Sequence, residues 1–108
     1  MTKVIFNKCS GNIIGFTSNG HSGFSEEGSD IVCSAISAIS LTICNGITDI
    51  LKIDADISMR DGFLSLSVKD RSEHDIKKCQ ILFETMLLGL RNIEDNYGKY
   101  IFVKVEEV

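Results

Sequence analysis

The sequence predicts an α+β fold: a two-layer α/β sandwich with a mixed, mostly antiparallel five-stranded sheet, two helices and the element order β-β-α-β-β-α-β. Three observations carry this prediction. Short runs rich in β-branched and aromatic residues come in pairs, at residues 2–18 and 51–68, broken by glycine and Asx residues. Each pair is followed by a segment whose apolar residues recur at spacings of three and four, the helical period. A last β-rich run closes the chain at residues 99–105. Hairpins alternating with helices stack the helices on one face of the sheet.

The elements follow in order. Residues 2–7 and 13–18 read as strands around a turn at Cys9-Ser10-Gly11-Asn12. Asn19 to Ser29 holds Gly20, Gly23 and Gly28 and has no regular pattern, so it reads as a mobile loop, a place where function concentrates. The first helix starts at Ser29 or Asp30, both good N-cap types, and runs to about Asp49. Ile36, Ile39, Ile43, Ile47 and Ile50 make its buried stripe, and Cys33, Ser37, Ser40 and Cys44 make a second row of small residues.

Residues 51–59 alternate, with Leu51, Ile53, Ala55, Ile57 and Met59 on one side, and read as a strand. Arg60-Asp61-Gly62 is the hairpin turn and residues 63–68 return. Ser72 and Asp75 resemble a capping box. Ile76, Cys79, Phe83, Met86, Leu87, Leu90 and Ile93 form the stripe of the second helix, and the final strand precedes an acidic tail.

Length and composition bound the rest. A chain of 108 residues is one domain, 1–108, and 44% hydrophobic residues suffice for a core without disulfides or metal. A net charge of −4, with scattered Lys and Arg, argues against nucleic acid as a direct partner. No apolar run of about 18 residues stands out as a membrane span, and no signal peptide opens the chain, so neither membrane nor export is expected and the cytoplasm is. The four cysteines form no C-x-x-C pair, which makes them free thiols in a reducing compartment.

One of these thiols stands apart. Cys33 falls in the first turn of the first helix, where free N–H groups and the macrodipole favour a thiolate. His21 lies in the glycine-rich loop, free to swing toward it and take its proton. The N–H groups of the same helical turn are candidates to hold an oxyanion. Asp30 either caps the helix through the N–H of Cys33 or orients His21. Ser37, one turn on, either hydrogen-bonds at the site or only packs. Glu26 and Glu27 read as a solvated loop, His74 as a surface residue, and Cys9, Cys44 and Cys79 as turn or core thiols. A metal at His21 and Cys33 would find only Asp30 as a further ligand, so no metal or cofactor is expected.

The residues Gly20-His21-Ser22-Gly23-Phe24, followed by Gly28-Ser29-Asp30-Ile31-Val32-Cys33-Ser34-Ala35-Ile36-Ser37-Ala38, resemble the signature of the ribosomal-processing cysteine protease family, Prp. Ser22 and Ser34 stand where that signature more often has alanine. The resemblance implies a bacterial cytoplasmic endopeptidase, typically a homodimer. Its partner is a peptide substrate, the precursor of large-subunit ribosomal protein number twenty-seven, whose short N-terminal extension it removes. It also implies that Cys33 is the nucleophile, that His21 is general base and acid, and that the loop with Gly20, Gly23 and Gly28 closes over the peptide. The competing readings are a non-catalytic ribosome-associated binding or assembly module, in which Cys33 is a core residue, and a structural dimer subunit, in which His21 does nothing special.

Overall fold

A computed structural model describes residues 1–26 and 30–108. The sheet consists of β1 (Thr2–Cys9), β2 (Asn12–Asn19), β3 (Asp56–Arg60), β4 (Phe63–Ser67) and β5 (Ile101–Glu107), in the spatial order β3-β4-β2-β1-β5. All neighbours are antiparallel except β1 and β5. The helices are α1 (Ile31–Asn45) and α2 (Glu73–Tyr97). Fold class and element order are those the sequence predicts.

Alternation builds one apolar face on the sheet. Thr2, Val4 and Phe6 of β1 are buried beside Ile101 and Val103 of β5, and Phe16 of β2 pairs with Phe6 on one side and Leu66 of β4 on the other. The helices cover this face, with Val32, Ile36 and Ile43 from α1 and Cys79, Phe83, Met86 and Leu90 from α2 in the same core. Burying a side chain such as Phe83 contributes about 2–3 kcal/mol. The β1–β2 register slips at Asn7/Lys8, and Gln80 of α2 meets the N–H and C=O of nearby Ile13 with its amide, at 2.8 and 2.7 Å. The Oγ of Ser72 accepts the Asp75 N–H at 3.1 Å and starts α2.

Four features differ from expectation. After Asn45 the helix widens into a π-helical turn, Gly46–Ile50, in which the Leu51 N–H reaches the Gly46 carbonyl. The wider turn shifts the phase of the stripe: Ile47 is fully buried but Ile50 is 79% exposed. A Cβ on Gly46 would stand 3.1 Å from Leu82, so a glycine lets α1 and α2 approach there. Residues 51–55 are not strand. Lys52 takes a left-handed conformation (φ 59°) that ends the helix, and Ile53 tucks back with its N–H on the Ile47 carbonyl.

β3 is therefore short, and as an edge strand it is exposed throughout. Ile57 and Met59 share a face with Leu66 and Leu64 by register, yet nothing covers them as it covers Leu64 and Leu66. Glu106 and Glu107 are not a tail but belong to β5, paired with Asn7 and Lys8. Finally, Ile31–Ile50 does reach the length and hydropathy of a membrane span, with 20 residues and a mean hydropathy of 1.7. Here that segment packs against α2 and contributes Val32, Ile36, Ile43, Cys44 and Ile47 to the core.

Candidate active site

Cys33 sits in the first turn of α1, half-buried, and the cap that starts the helix is Asp30. One oxygen of Asp30, Oδ1, accepts the Cys33 N–H at 2.9 Å. The other, Oδ2, accepts the Ser22 hydroxyl and the N–H groups of Phe24 (3.1 Å) and Ser25 (3.3 Å). Asp30 is only 4% exposed. Burial alone would raise its pKa, but the Ser22 hydroxyl and the N–H groups of Cys33, Ser25 and Val32 outweigh it and hold the carboxyl at about 2. A single buried carboxylate thus joins the start of the helix to the loop that precedes it.

Ser22 and Ser34, the two departures from the alanine pattern, both bond to Asp30, Ser22 through its hydroxyl to the carboxylate and Ser34 through its hydroxyl to the carbonyl, at 3.0 Å. Nothing in the sequence pattern pointed to this pairing.

The loop is anchored over its described part, residues 20–26. Gly20 has φ +98°, and a Cβ there would come within 2.6 Å of the Met1 carbonyl, so the position requires glycine. Its N–H donates to the Gly62 carbonyl at 2.7 Å and its carbonyl accepts the Thr2 hydroxyl at 3.2 Å. The Phe24 ring meets Tyr97 and Tyr100 edge-on, with centroids 5.6 and 5.2 Å apart. Gly23 has φ +76° with open space around it. Gly28, Ser29 and Glu27 lie outside the described residues.

These anchors set the geometry around the thiol. The Ser22 N–H donates to Cys33 Sγ at 3.1 Å. Next to it, His21 turns toward the β3–β4 hairpin: its Nε2 lies 3.7 Å from Asp61 Oδ2 and would be 3.0 Å from a Cβ on Gly62. Among the described residues no hydrogen bond joins His21 to Cys33 or to Asp30. Cys33, His21, Asp30 and Ser37 nevertheless line one cleft of about 450 Å³ between the start of α1 and the β3–β4 turn. Ser37 is exposed on its wall.

The N–H groups expected to hold an oxyanion are already engaged. Cys33 N–H is on the Asp30 carboxylate and Ser34 N–H is on the Asp30 carbonyl, at 3.0 Å. Asp61 and Gly62 were legible only as a turn, because their contact with His21 depends on β2 and β4 lying side by side.

The remaining thiols are elsewhere. Cys44 and Cys79 are core residues, and burial pushes the Cys44 thiol up to about 11. Burial, reinforced by Asp75 and partly offset by Lys78, also raises Cys79. Cys9 is half-exposed beside Ser10. His74 is exposed at the start of α2. Among the described residues, no cluster of His, Cys, Asp and Glu could hold a metal ion.

The sequence matches the family model for cysteine protease Prp over residues 1–102. The ribosomal processing cysteine protease Prp of Bacillus subtilis is 27% identical over 88 residues, 79% of each chain. The protein of the same name from Staphylococcus aureus is 29% identical over 83 residues, 77% of each. A crystal structure of the S. aureus ribosomal processing protease Prp with a covalently linked product peptide superposes with a TM-score of 0.83 at 28% identity, over 98% of this chain and 100% of that one. The family match extends well past the cleft, through both helices and into the last strand, and the chain therefore belongs to the cysteine protease Prp family and is a cysteine protease.

Proposed function

We propose that this protein is a processing endopeptidase that removes the N-terminal extension of a bacterial large-subunit ribosomal protein, number twenty-seven, with Cys33 as nucleophile and His21 as general base and acid. The observation that carries the reading is the common cleft of Cys33 and His21, open to solvent at the start of a helix. The peptide bound covalently to a S. aureus relative supports a cleft of this kind as the seat of acyl transfer.

The chemistry follows from the groups present. His21 leaves Asp61, takes the thiol proton of Cys33, and Sγ attacks the scissile carbonyl carbon. The C–N bond breaks as the imidazolium returns that proton to the leaving amine, and a thioester remains. Water, deprotonated by His21, then attacks the thioester, which releases the acid and restores the thiol. The oxyanion of both steps falls to the Ser22 N–H, the donor already beside the sulfur, since the N–H groups of Cys33 and Ser34 are held by Asp30. Asp30 is a positioning residue that keeps Ser22 in place, and Ser37 faces the bound peptide.

The same reading makes the enzyme cytoplasmic and a homodimer. Exposed Ile81 and Leu88, two turns apart on α2, support an apolar contact face. Sedimentation at micromolar concentration tests it, and a monomer would count against the dimer.

The deciding experiment is cleavage of the extended ribosomal protein by wild type and Cys33→Ala, with products weighed by mass spectrometry. Trimming at one bond by wild type alone is the expected result. If neither cuts while both are folded, the reading fails and a binding module takes its place. If both cut, the nucleophile is another residue.

A further inference from the structure

The second row of α1 continues past Ser37 to Ser40, two turns from Cys33. Ser40 is 1% exposed, and its Oγ has no hydrogen-bond partner among the described residues. A buried hydroxyl without a partner is costly, and in a helix it has an obvious remedy: the carbonyl four residues back. Thr42, Thr48 and Thr85 each take that remedy, bonding Ala38, Cys44 and Ile81. Ser40 does not. It lines the same cleft as Cys33, as do Ile36, Leu41 and Leu64.

We infer that Ser40 is a specificity-determining residue: its hydroxyl, buried and without a partner among the described residues on a wall shared with Ile36, Leu41 and Leu64, hydrogen-bonds a polar side chain of the substrate peptide. Seven residues of helix place it about 10 Å from Cys33 along the axis. An extended peptide covers that distance in about three residues. The side chain read by Ser40 is therefore the one about three residues from the scissile bond. The walls favour a side chain with an apolar stem, such as threonine or glutamine, over a charged one. This inference rests on the cleft being the peptide site of the protease reading.

The test uses synthetic peptides with one cleavable bond, varied position by position as Thr/Val and Gln/Met pairs, with wild type and Ser40→Ala. Wild type should prefer the polar member about tenfold in kcat/KM at one position about three residues from the bond, through KM. Ser40→Ala should cut the valine peptide as well as wild type does and lose the preference. Its melting temperature should not fall, since the deleted hydroxyl has no partner to orphan. Ser40→Cys, which keeps the volume, repeats the comparison should the alanine variant unfold. The same preference in wild type and variant, or none in wild type at that position, overturns the inference and leaves the protease reading intact. Wild type cutting none of the peptides, nor the full ribosomal protein, overturns both.

Discussion

The imidazole of His21 rests beside Asp61, with Nε2 3.7 Å from Oδ2, and over Gly62, while the Sγ of Cys33 accepts a hydrogen bond from the Ser22 N–H. Both His21 and Asp61 are substantially solvent-exposed, at 50% and 83%. A contact this exposed is worth at most about 1 kcal/mol, even with the imidazole charged. Asp61→Asn should therefore raise kcat/KM for peptide cleavage slightly, by up to about threefold, because it frees the imidazole. A loss of two orders of magnitude would instead make Asp61 the residue that orients His21 for catalysis.

Gly62 controls the same side chain by space rather than charge. It has φ +68°, and an added Cβ would press on the imidazole at 3.0 Å. Gly62→Ala should shift the His21 ring resonances in an NMR spectrum and cost about 1 kcal/mol of stability from the left-handed backbone. Unchanged resonances would mean that the ring does not rest there.

Asp30 ties stability to acid. Its carboxyl lies at about 2 in the folded protein, against an ordinary 3.8. A depressed folded pKa means the unfolded chain binds the proton more readily. The stabilisation is thus complete above about pH 4 and is lost as pH falls toward 2. Urea melts at pH 6 and pH 3 should show a smaller difference in Asp30→Asn than in wild type. Equal differences would show that Asp30 carries none of the acid sensitivity.

The thiols should react in a fixed order. Cys33 should be alkylated first by iodoacetamide at neutral pH, ahead of half-exposed Cys9, with Cys44 and Cys79 protected until the protein unfolds. Peptide mapping by mass spectrometry reads the order. Labelling of Cys33 no faster than Cys79 would count heavily against a nucleophile at that position.

Phe24 holds the loop through two edge-on aromatic contacts. Phe24→Ala should lower stability by about 1–3 kcal/mol and reduce kcat/KM more than it reduces melting temperature, because it loosens the segment that carries His21 and Ser22. An activity loss no larger than that of a core variant of equal instability, such as a truncation at Leu90, would assign Phe24 to packing alone.

Local features were readable from sequence, and contacts made across the fold were not. The start of α1 at Ser29 or Asp30, the Ser72 start of α2 and the burial of Phe83 and Leu90 follow from spacing and residue type within a few positions. The start of β3 was not readable, because the alternation from Leu51 to Met59 also fits a chain leaving a π-helical turn. Ile57 and Met59 read as one side of a strand, and that pattern does not reveal that the strand is at the edge and leaves them exposed. At the site, Cys33, His21 and Asp30 stood out by type and position, whereas Asp61 and Gly62 gained meaning only once β4 lay beside β2. Ser22 looked like a minor deviation and is a direct ligand of the buried carboxylate.

The parallel pairing of β1 with β5 joins Thr2 to Ile101 and Lys8 to Glu107, nearly the full length of the sequence apart. Contacts so distant along the chain are slow to form and cannot form on a nascent chain until its end has emerged. β1 is also the strand whose first residue, Thr2, donates to the carbonyl of Gly20, the residue before His21. The cleft that Cys33 and His21 line is therefore among the last parts of the molecule to be completed during synthesis, and a polypeptide stopped short of residue 101 would carry the Cys33 helix over an unfinished sheet.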